Sequence, residues 1–172
     1  MRILLEGPPG VGKTTLVERV VARLEERDIP VQGFTTREIR ERGRRLGFRV
    51  EAIGGPEAVL AHVDLPGPPR VGRYGVDLPA FERVALPSLR RSGEAVVVID
   101  ELGKMELASP RFQDEVTRLL DEPGPVAAAV HAFRHPFTEA LKARSDLTVL
   151  RVTPRNRDQL PAEVVRLLTG ED

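Results

Sequence analysis

Gly7-Pro8-Pro9-Gly10-Val11-Gly12-Lys13-Thr14 decides how this chain of 172 residues is to be read. The stretch fills every position of the pattern G-x-x-x-x-G-K-[ST]. Ahead of it, Arg2-Ile3-Leu4-Leu5-Glu6 is a short apolar run suited to a buried strand. Behind it, Leu16, Val17, Val20, Val21 and Leu24 recur at helical spacing, which predicts a helix from about Lys13. Strand, glycine loop and helix together make a cradle for phosphate. Glycines allow backbone angles that other residues resist. Successive N–H groups then turn inward as an anion nest, and the helix dipole adds to the attraction. Lys13 supplies a full charge for the outer phosphates, Thr14 a hydroxyl for Mg²⁺, and Thr15 extends the nucleotide-binding stretch by one residue.

Composition narrows the field. Basic and acidic residues both total 26, so no global basic field advertises a nucleic-acid partner, although a local patch survives such a cancellation. No apolar run reaches the roughly 20 residues of a membrane span. The N-terminus runs straight into the first strand, leaving no room for a signal peptide, and there are no cysteines to form disulfides or thiolate metal sites. A cytoplasmic protein, favoured as a monomer, is the expectation. Only Lys13, Lys104 and Lys142 are lysines, and prolines number 15. That bias suits heat adaptation, and equally a GC-rich genome.

The rest of the chain alternates strand and helix with one break in the rhythm. Val31 to Phe34 reads as a second strand. Thr35–Arg40 and Arg45–Ala52 read as hairpin arms around Glu41-Arg42-Gly43-Arg44. Leu46, Phe48, Val50 and Ala52 share one face of the second arm. Val59–Val63 is a further short strand. Asp77 suits a helix N-cap, with Phe81, Val84, Ala85, Leu86 and Leu89 forming the apolar stripe and Pro87 expected to kink it. Ala95-Val96-Val97-Val98-Ile99 is the β-branched run of a central parallel strand. Ser109-Pro110 opens a helix, Val126–Val130 is another strand, Pro136 opens a short helix, and Leu147–Val152 is the last strand. A final helical segment from Thr153 is interrupted at Pro161. This predicts a single α/β domain over 1–172, three-layered, with a mostly parallel central sheet and a β-hairpin-rich insertion at 35–76.

The strand ending in Asp100-Glu101 is the second site element. Ligands in open α/β sheets sit outside the carboxyl ends of the strands, so Gly7 and Asp100 are expected to border one crevice. An acid ending an apolar strand is the Walker B arrangement, in which Asp100 holds Mg²⁺ with Thr14. Glu101, one residue on, is the candidate catalytic base. Val97, Val98, Ile99, Asp100, Glu101, Leu102, Gly103 and Lys104 complete the expected nucleotide-binding set. Lys104 is expected to reach the phosphates or to bridge to Glu101 or Glu106. Lys13 and an arginine are the expected electrostatic catalysts. Arg70 is preferred, with Arg73 and Arg134 as the other candidates. Arg37, Arg40, Arg42, Arg44, Arg45 and Arg49 read as a solvated hairpin face. His131 and His135 are four apart, but Pro136 takes them off a helix and a third metal ligand is missing. No N-K-x-D motif is present, and aromatics are few, with Tyr74 the candidate for contacting a base.

Further strings carry a resemblance, the last two of them far more specifically than the phosphate loop. Gly33-Phe34-Thr35-Thr36-Arg37-Glu38-Ile39-Arg40, Gly47-Phe48, Arg70-Val71-Gly72-x-Tyr74-x-Val76-Asp77 and Val98-Ile99-Asp100-Glu101-Leu102-Gly103-Lys104-Met105-Glu106 resemble the small nucleoside-triphosphatase family described from thermophiles, which has a human cancer-related member. The resemblance runs nearly the whole length. It implies a P-loop fold of RecA-like type and slow, Mg²⁺-dependent hydrolysis of ATP, GTP and other nucleoside triphosphates to diphosphate and phosphate. Two alternatives share the same loop. A small kinase would pass the phosphoryl group to a nucleotide, nucleoside or polynucleotide hydroxyl. A non-enzymatic module would use nucleotide state to bind protein or RNA. The Asp100-Glu101 pair favours hydrolysis, since kinases must keep water out.

Overall fold

The computed structural model describes residues 1–171. One nine-stranded sheet runs through them: β1 (Arg2–Glu6), β2 (Val31–Glu41), β3 (Arg44–Ala52), β4 (Glu57–His62), β5 (Arg70–Val71), β6 (Tyr74–Val76), β7 (Val96–Leu102), β8 (Val126–Val130) and β9 (Thr148–Arg151). Their spatial order is β5-β6-β4-β3-β2-β7-β8-β1-β9. Five helices pack on it: α1 (Lys13–Glu25), α2 (Leu78–Ser88), α3 (Pro110–Asp121), α4 (Pro136–Lys142) and α5 (Leu160–Thr169). None is long and apolar enough to cross a membrane.

Alternation along the central strands builds two cores, one on each face. Ile3 and Leu5 of β1 and Val96 and Val98 of β7 meet Leu16, Val17 and Val20 of α1 and Val164 of α5. Leu4, Val97 and Ile99 point the other way, to Phe81 and Val84 of α2 and Phe112 and Val116 of α3. Phe34, Phe81 and Phe112 meet edge to face, with ring centroids 5.1–5.7 Å apart. The result is the expected three-layer α/β arrangement. Two helix caps stand as read from sequence. The Asp77 carboxylate accepts from the Ala80 N–H at 3.0 Å, and the Ser109 hydroxyl accepts from the Phe112 N–H at 3.1 Å.

Four features depart from the expectation. The sheet is parallel only across β2-β7-β8-β1-β9, and β3, β4, β6 and β5 continue it antiparallel from β2. It is therefore half parallel rather than mostly so, because segment 35–76 extends the same sheet instead of forming a separate insertion. Val31–Phe34 and Thr35–Arg40 are one strand, not two. Its first half pairs with β7 and its second half with β3. Gly33 lies at that change of partner with φ +113°, where a Cβ would sit 1.8 Å from the Val98 carbonyl oxygen. Pro161 falls in the first turn of α5, where a missing N–H costs nothing, so it starts the helix rather than interrupting it. Pro87 lies in the last turn of α2, where little helix remains to be bent.

Candidate functional site

The loop between β1 and α1 turns through Gly10 (φ +79°) and Gly12 (φ +107°), conformations that a Cβ would oppose. α1 then begins at Lys13 itself. Lys13 is buried, and its three ammonium protons are all engaged. Nζ donates to the Gly7 carbonyl at 2.6 Å and the Val130 carbonyl at 3.2 Å, and pairs with Glu101 Oε2 at 3.1 Å. The ammonium thus lies at the junction of β1, β8 and β7.

Adjacent strand residues normally face opposite sides, yet Asp100 and Glu101 border one crevice. The pairing of β7 with β8 explains this. It steps from Ile99↔Ala128 directly to Leu102↔Val130, so two residues of β7 oppose one of β8. A bulge of this kind re-aims side chains, and such bulges recur beside active sites.

Asp100 is 1% exposed, and neither carboxylate oxygen has a hydrogen-bond partner. Burial raises its pKa to about 7, reinforced by the Glu101 charge and opposed by the Thr14 hydroxyl and the Lys13 ammonium. Thr14 is close enough to favour the charged form without making a hydrogen bond to it. A buried, unpartnered carboxylate beside a hydroxyl is the donor set a hard divalent cation takes. Among the described residues no three His, Asp or Glu side chains gather around a common point. Asp100 and Thr14 are the residues that would hold such a cation.

Sequence reasoning underrated Glu106. It sits on a 3₁₀ turn (Glu106–Ala108), is 5% exposed, and its pKa is raised to about 8 by burial and then by Glu101. Its Oε2 and Glu101 Oε1 both crowd Gly103, at 2.8 and 3.0 Å from where a Cβ would stand. Gly103 has no positive φ, so the carboxyl pair, not the backbone, demands glycine there. Arg157 was missed as well, and it donates to the Val11 carbonyl at 3.2 Å. Only the folded chain brings residue 157 to the loop.

Other candidates land elsewhere. The Arg70 guanidinium is held by its own hairpin, donating to the Leu65, Pro66 and Arg73 carbonyls at 2.9–3.3 Å. Arg73 donates to the Arg45 carbonyl and the Tyr74 hydroxyl. Arg134 is exposed and makes no hydrogen bond or ion pair among the described residues. Lys104 does not bridge to Glu101 or Glu106. Its Nζ lies 4.8 Å from the centre of the Phe133 ring. Tyr74 is buried, and its hydroxyl is bound by Arg45 and Arg73. The hairpin arginines are largely spent on local glutamates, Arg37 on Glu51, Arg40 and Arg45 on Glu38, and Arg49 on Glu57, as a solvated face would be.

Residues 2–165 match the family described as NTPase. The chain belongs to that family. It is an enzyme of nucleoside-triphosphate hydrolysis with a P-loop fold, as the loop and acid pair lead one to expect. It is 39% identical over 170 residues to nucleoside-triphosphatase THEP1 of Thermotoga sp. (strain RQ2), covering 98% of this chain and 95% of that protein. It is 40% identical to the human cancer-related nucleoside-triphosphatase, covering 95% and 94%. The crystal structure of THEP1 from Aquifex aeolicus superposes with a TM-score of 0.87 at 35% identity, over 98% of this NTPase and 99% of that chain.

Proposed function

We propose that this NTPase cleaves the terminal phosphate of several nucleoside triphosphates with the aid of Mg²⁺, using Glu101 to position the attacking water. The observation that carries this is the 3.1 Å contact between Lys13 Nζ and Glu101 Oε2 at the mouth of the glycine loop. The residue that grips the outer phosphate and the residue that would handle water share one point. Without substrate, Lys13 is occupied by Glu101 and by the Gly7 and Val130 carbonyls. Phosphate oxygens offer it a stronger partner, so binding turns the ammonium to the triphosphate and frees the Glu101 carboxylate.

The loop N–H groups hold the β- and γ-phosphates and neutralise charge as the bond to the β-phosphate breaks. Glu101 accepts a hydrogen bond from water and aims its oxygen at the γ-phosphorus in line with the leaving oxygen. Asp100 and Thr14 would hold Mg²⁺, which would supply positive charge against the charge that develops on the triphosphate. Arg134, without a partner among the described residues, is the arginine best suited to meet the γ-phosphate. Arg70 and Arg73 brace their hairpin.

Low base selectivity follows from what surrounds the other end of the loop. Two depressions flank it, one at Thr15, Arg19 and Arg157, the other at Val11, Val152 and Pro154. Neither contains an aromatic ring, so a base gains little by stacking. Phosphate release should be measured with ATP, GTP, CTP and UTP, with and without Mg²⁺. Efficiencies within about two decades are expected, since weak base contacts differ by about 1–3 kcal/mol. Diphosphate formed without free phosphate, and only when a nucleoside or polynucleotide is added, would point to a kinase instead.

A further inference from the structure

Beyond Glu101, on the side of the antiparallel strands, the sheet and the loop after β8 enclose a cavity of about 370 Å³. Its walls are mostly carbon, from Phe48, Leu60, Val71, Met105 and Phe133, with Glu101, Glu106 and His131 set among them. The reaction described above does not use this space. On that reading the triphosphate lies in the Gly7–Thr14 loop and its base departs from the Thr15 end. The cavity opens instead at the opposite end, beside Pro9 and Glu101.

His131 marks the cavity as a place for a ligand. The ring is 5% exposed, and neither nitrogen has a hydrogen-bond partner. Buried polar groups are nearly always satisfied, and those that are not want a partner from outside the chain. Burial holds the ring neutral, with a pKa lowered to about 4, so it presents one donor and one acceptor. Stacking on Phe133 fixes its plane.

We propose that this cavity binds a second small molecule, uncharged and planar, with an apolar body and an edge bearing one donor and one acceptor, while the triphosphate occupies the loop. The volume falls within the roughly 300–1,000 Å³ of ligand pockets, and apolar walls with a few convergent polar groups are their usual lining. Aromatic and sulfur side chains on the wall suit a flat ring. Charge complementarity selects a neutral molecule. With the triphosphate in the loop, the freed Glu101 carboxylate and the Lys104 ammonium over the Phe133 ring both line the cavity, one charge of each sign. An occupant lies against the Glu101 carboxylate and crowds the attacking water. It therefore lowers kcat while leaving KM for the nucleotide unchanged.

7-Azaindole is a suitable probe, being neutral at pH 7.5, planar, and equipped with an adjacent donor and acceptor. It should be titrated by calorimetry into protein saturated with Mg²⁺ and a non-hydrolysable ATP analogue, and its effect on phosphate release recorded. Saturable binding alongside the analogue is expected. Val71→Phe, which fills the cavity, should abolish it. His131→Phe, which keeps the stack and removes both nitrogens, should weaken it by about tenfold, the worth of one lost hydrogen bond. Both variants should bind the analogue as the parent does, which reports that they are folded. Absence of saturable binding, displacement of the probe by the analogue, or equal binding by His131→Phe would overturn the proposal. Normal phosphate release without probe binding defeats only the second site. Absence of release in the probe-free enzyme defeats the hydrolytic reading instead.

Discussion

Gly103→Ala adds one methyl group where two carboxyl side chains converge. The new Cβ would stand 2.8 Å from Glu106 Oε2, 3.0 Å from Glu101 Oε1 and 3.3 Å from Glu101 Cγ. Side-chain atoms essentially never stand within 3.0 Å of a Cβ, so these neighbours must give way by a few tenths of an ångström. Glu106 is enclosed on all sides, whereas the Glu101 side chain is 31% exposed. Both carboxyl side chains therefore shift, Glu101 the more freely, and its contact with Lys13 lengthens. The backbone offers no resistance, since Gly103 lacks a positive φ. An alanine there gains about 0.4–1 kcal/mol from the stiffer unfolded chain, against about 1–3 kcal/mol for overpacking. The net loss is about 0–2.6 kcal/mol, and at about 2–4 °C per kcal/mol Tm falls by no more than about 10 °C. Turnover suffers far more, because a misplacement of about 1 Å in a positioned group can cost about 10²-fold. Steady-state phosphate release should show kcat reduced by about 10- to 100-fold, while equilibrium binding of Mg-nucleotide stays near the parent value. A variant with parent turnover and parent Tm would show that the Glu101–Glu106–Gly103 arrangement does not govern the reaction.

Four further outcomes are expected. Glu101→Gln should bind nucleotide normally and lose about 10²–10⁴ in kcat, and undiminished hydrolysis would move the water to another residue. Lys13→Ala removes the proposed phosphate anchor and also leaves the Gly7 and Val130 carbonyls without their donor, so calorimetry should find nucleotide binding nearly abolished. Arg134→Ala should lower kcat, by up to about 10³-fold if its guanidinium meets the γ-phosphate, whereas Arg70→Ala should lower Tm with little change in kcat. Glu106 has a folded pKa of about 8 against an ordinary 4.5, so its stabilising effect is complete below about pH 4.5 and lost as pH rises through 8. Calorimetric scans of the nucleotide-free protein should therefore show Tm falling from pH 5 to pH 8, with a shallower decline in Glu106→Gln. An identical decline in that variant would refute the assignment.

Much of the site was legible because its chemistry is local. A phosphate loop is a run of consecutive backbone N–H groups between one strand and one helix. Gly7 to Thr14 therefore declared the cradle, its lysine and the start of α1 without knowledge of any distant residue. Asp100 was legible for a similar reason, since an acid ending a long β-branched run marks the carboxyl edge of a buried strand. The caps at Asp77 and Ser109 are likewise three-residue affairs.

What the linear order of residues left undecided depends on pairing across long separations. Alternating hydrophobicity says that 35–76 is β-rich, but a strand read alone carries no record of its partner. Only the folded sheet joins Val31–Phe34 to β7 and the remainder of β2 to β3, making one half parallel and the other antiparallel. The bulge at Asp100-Glu101 is a mismatch of register with β8, invisible until β8 is beside it. The fates of the candidate side chains were settled in the same way. Arg70 and Tyr74 are absorbed by their hairpin, Arg157 is carried to a loop 146 residues away, and Glu106 and His131 are drawn inside beside Glu101. A side chain's type states which bonds it can make. Which bond it makes is decided by whatever polar group the fold brings within about 3 Å, and that is a property of the tertiary structure alone.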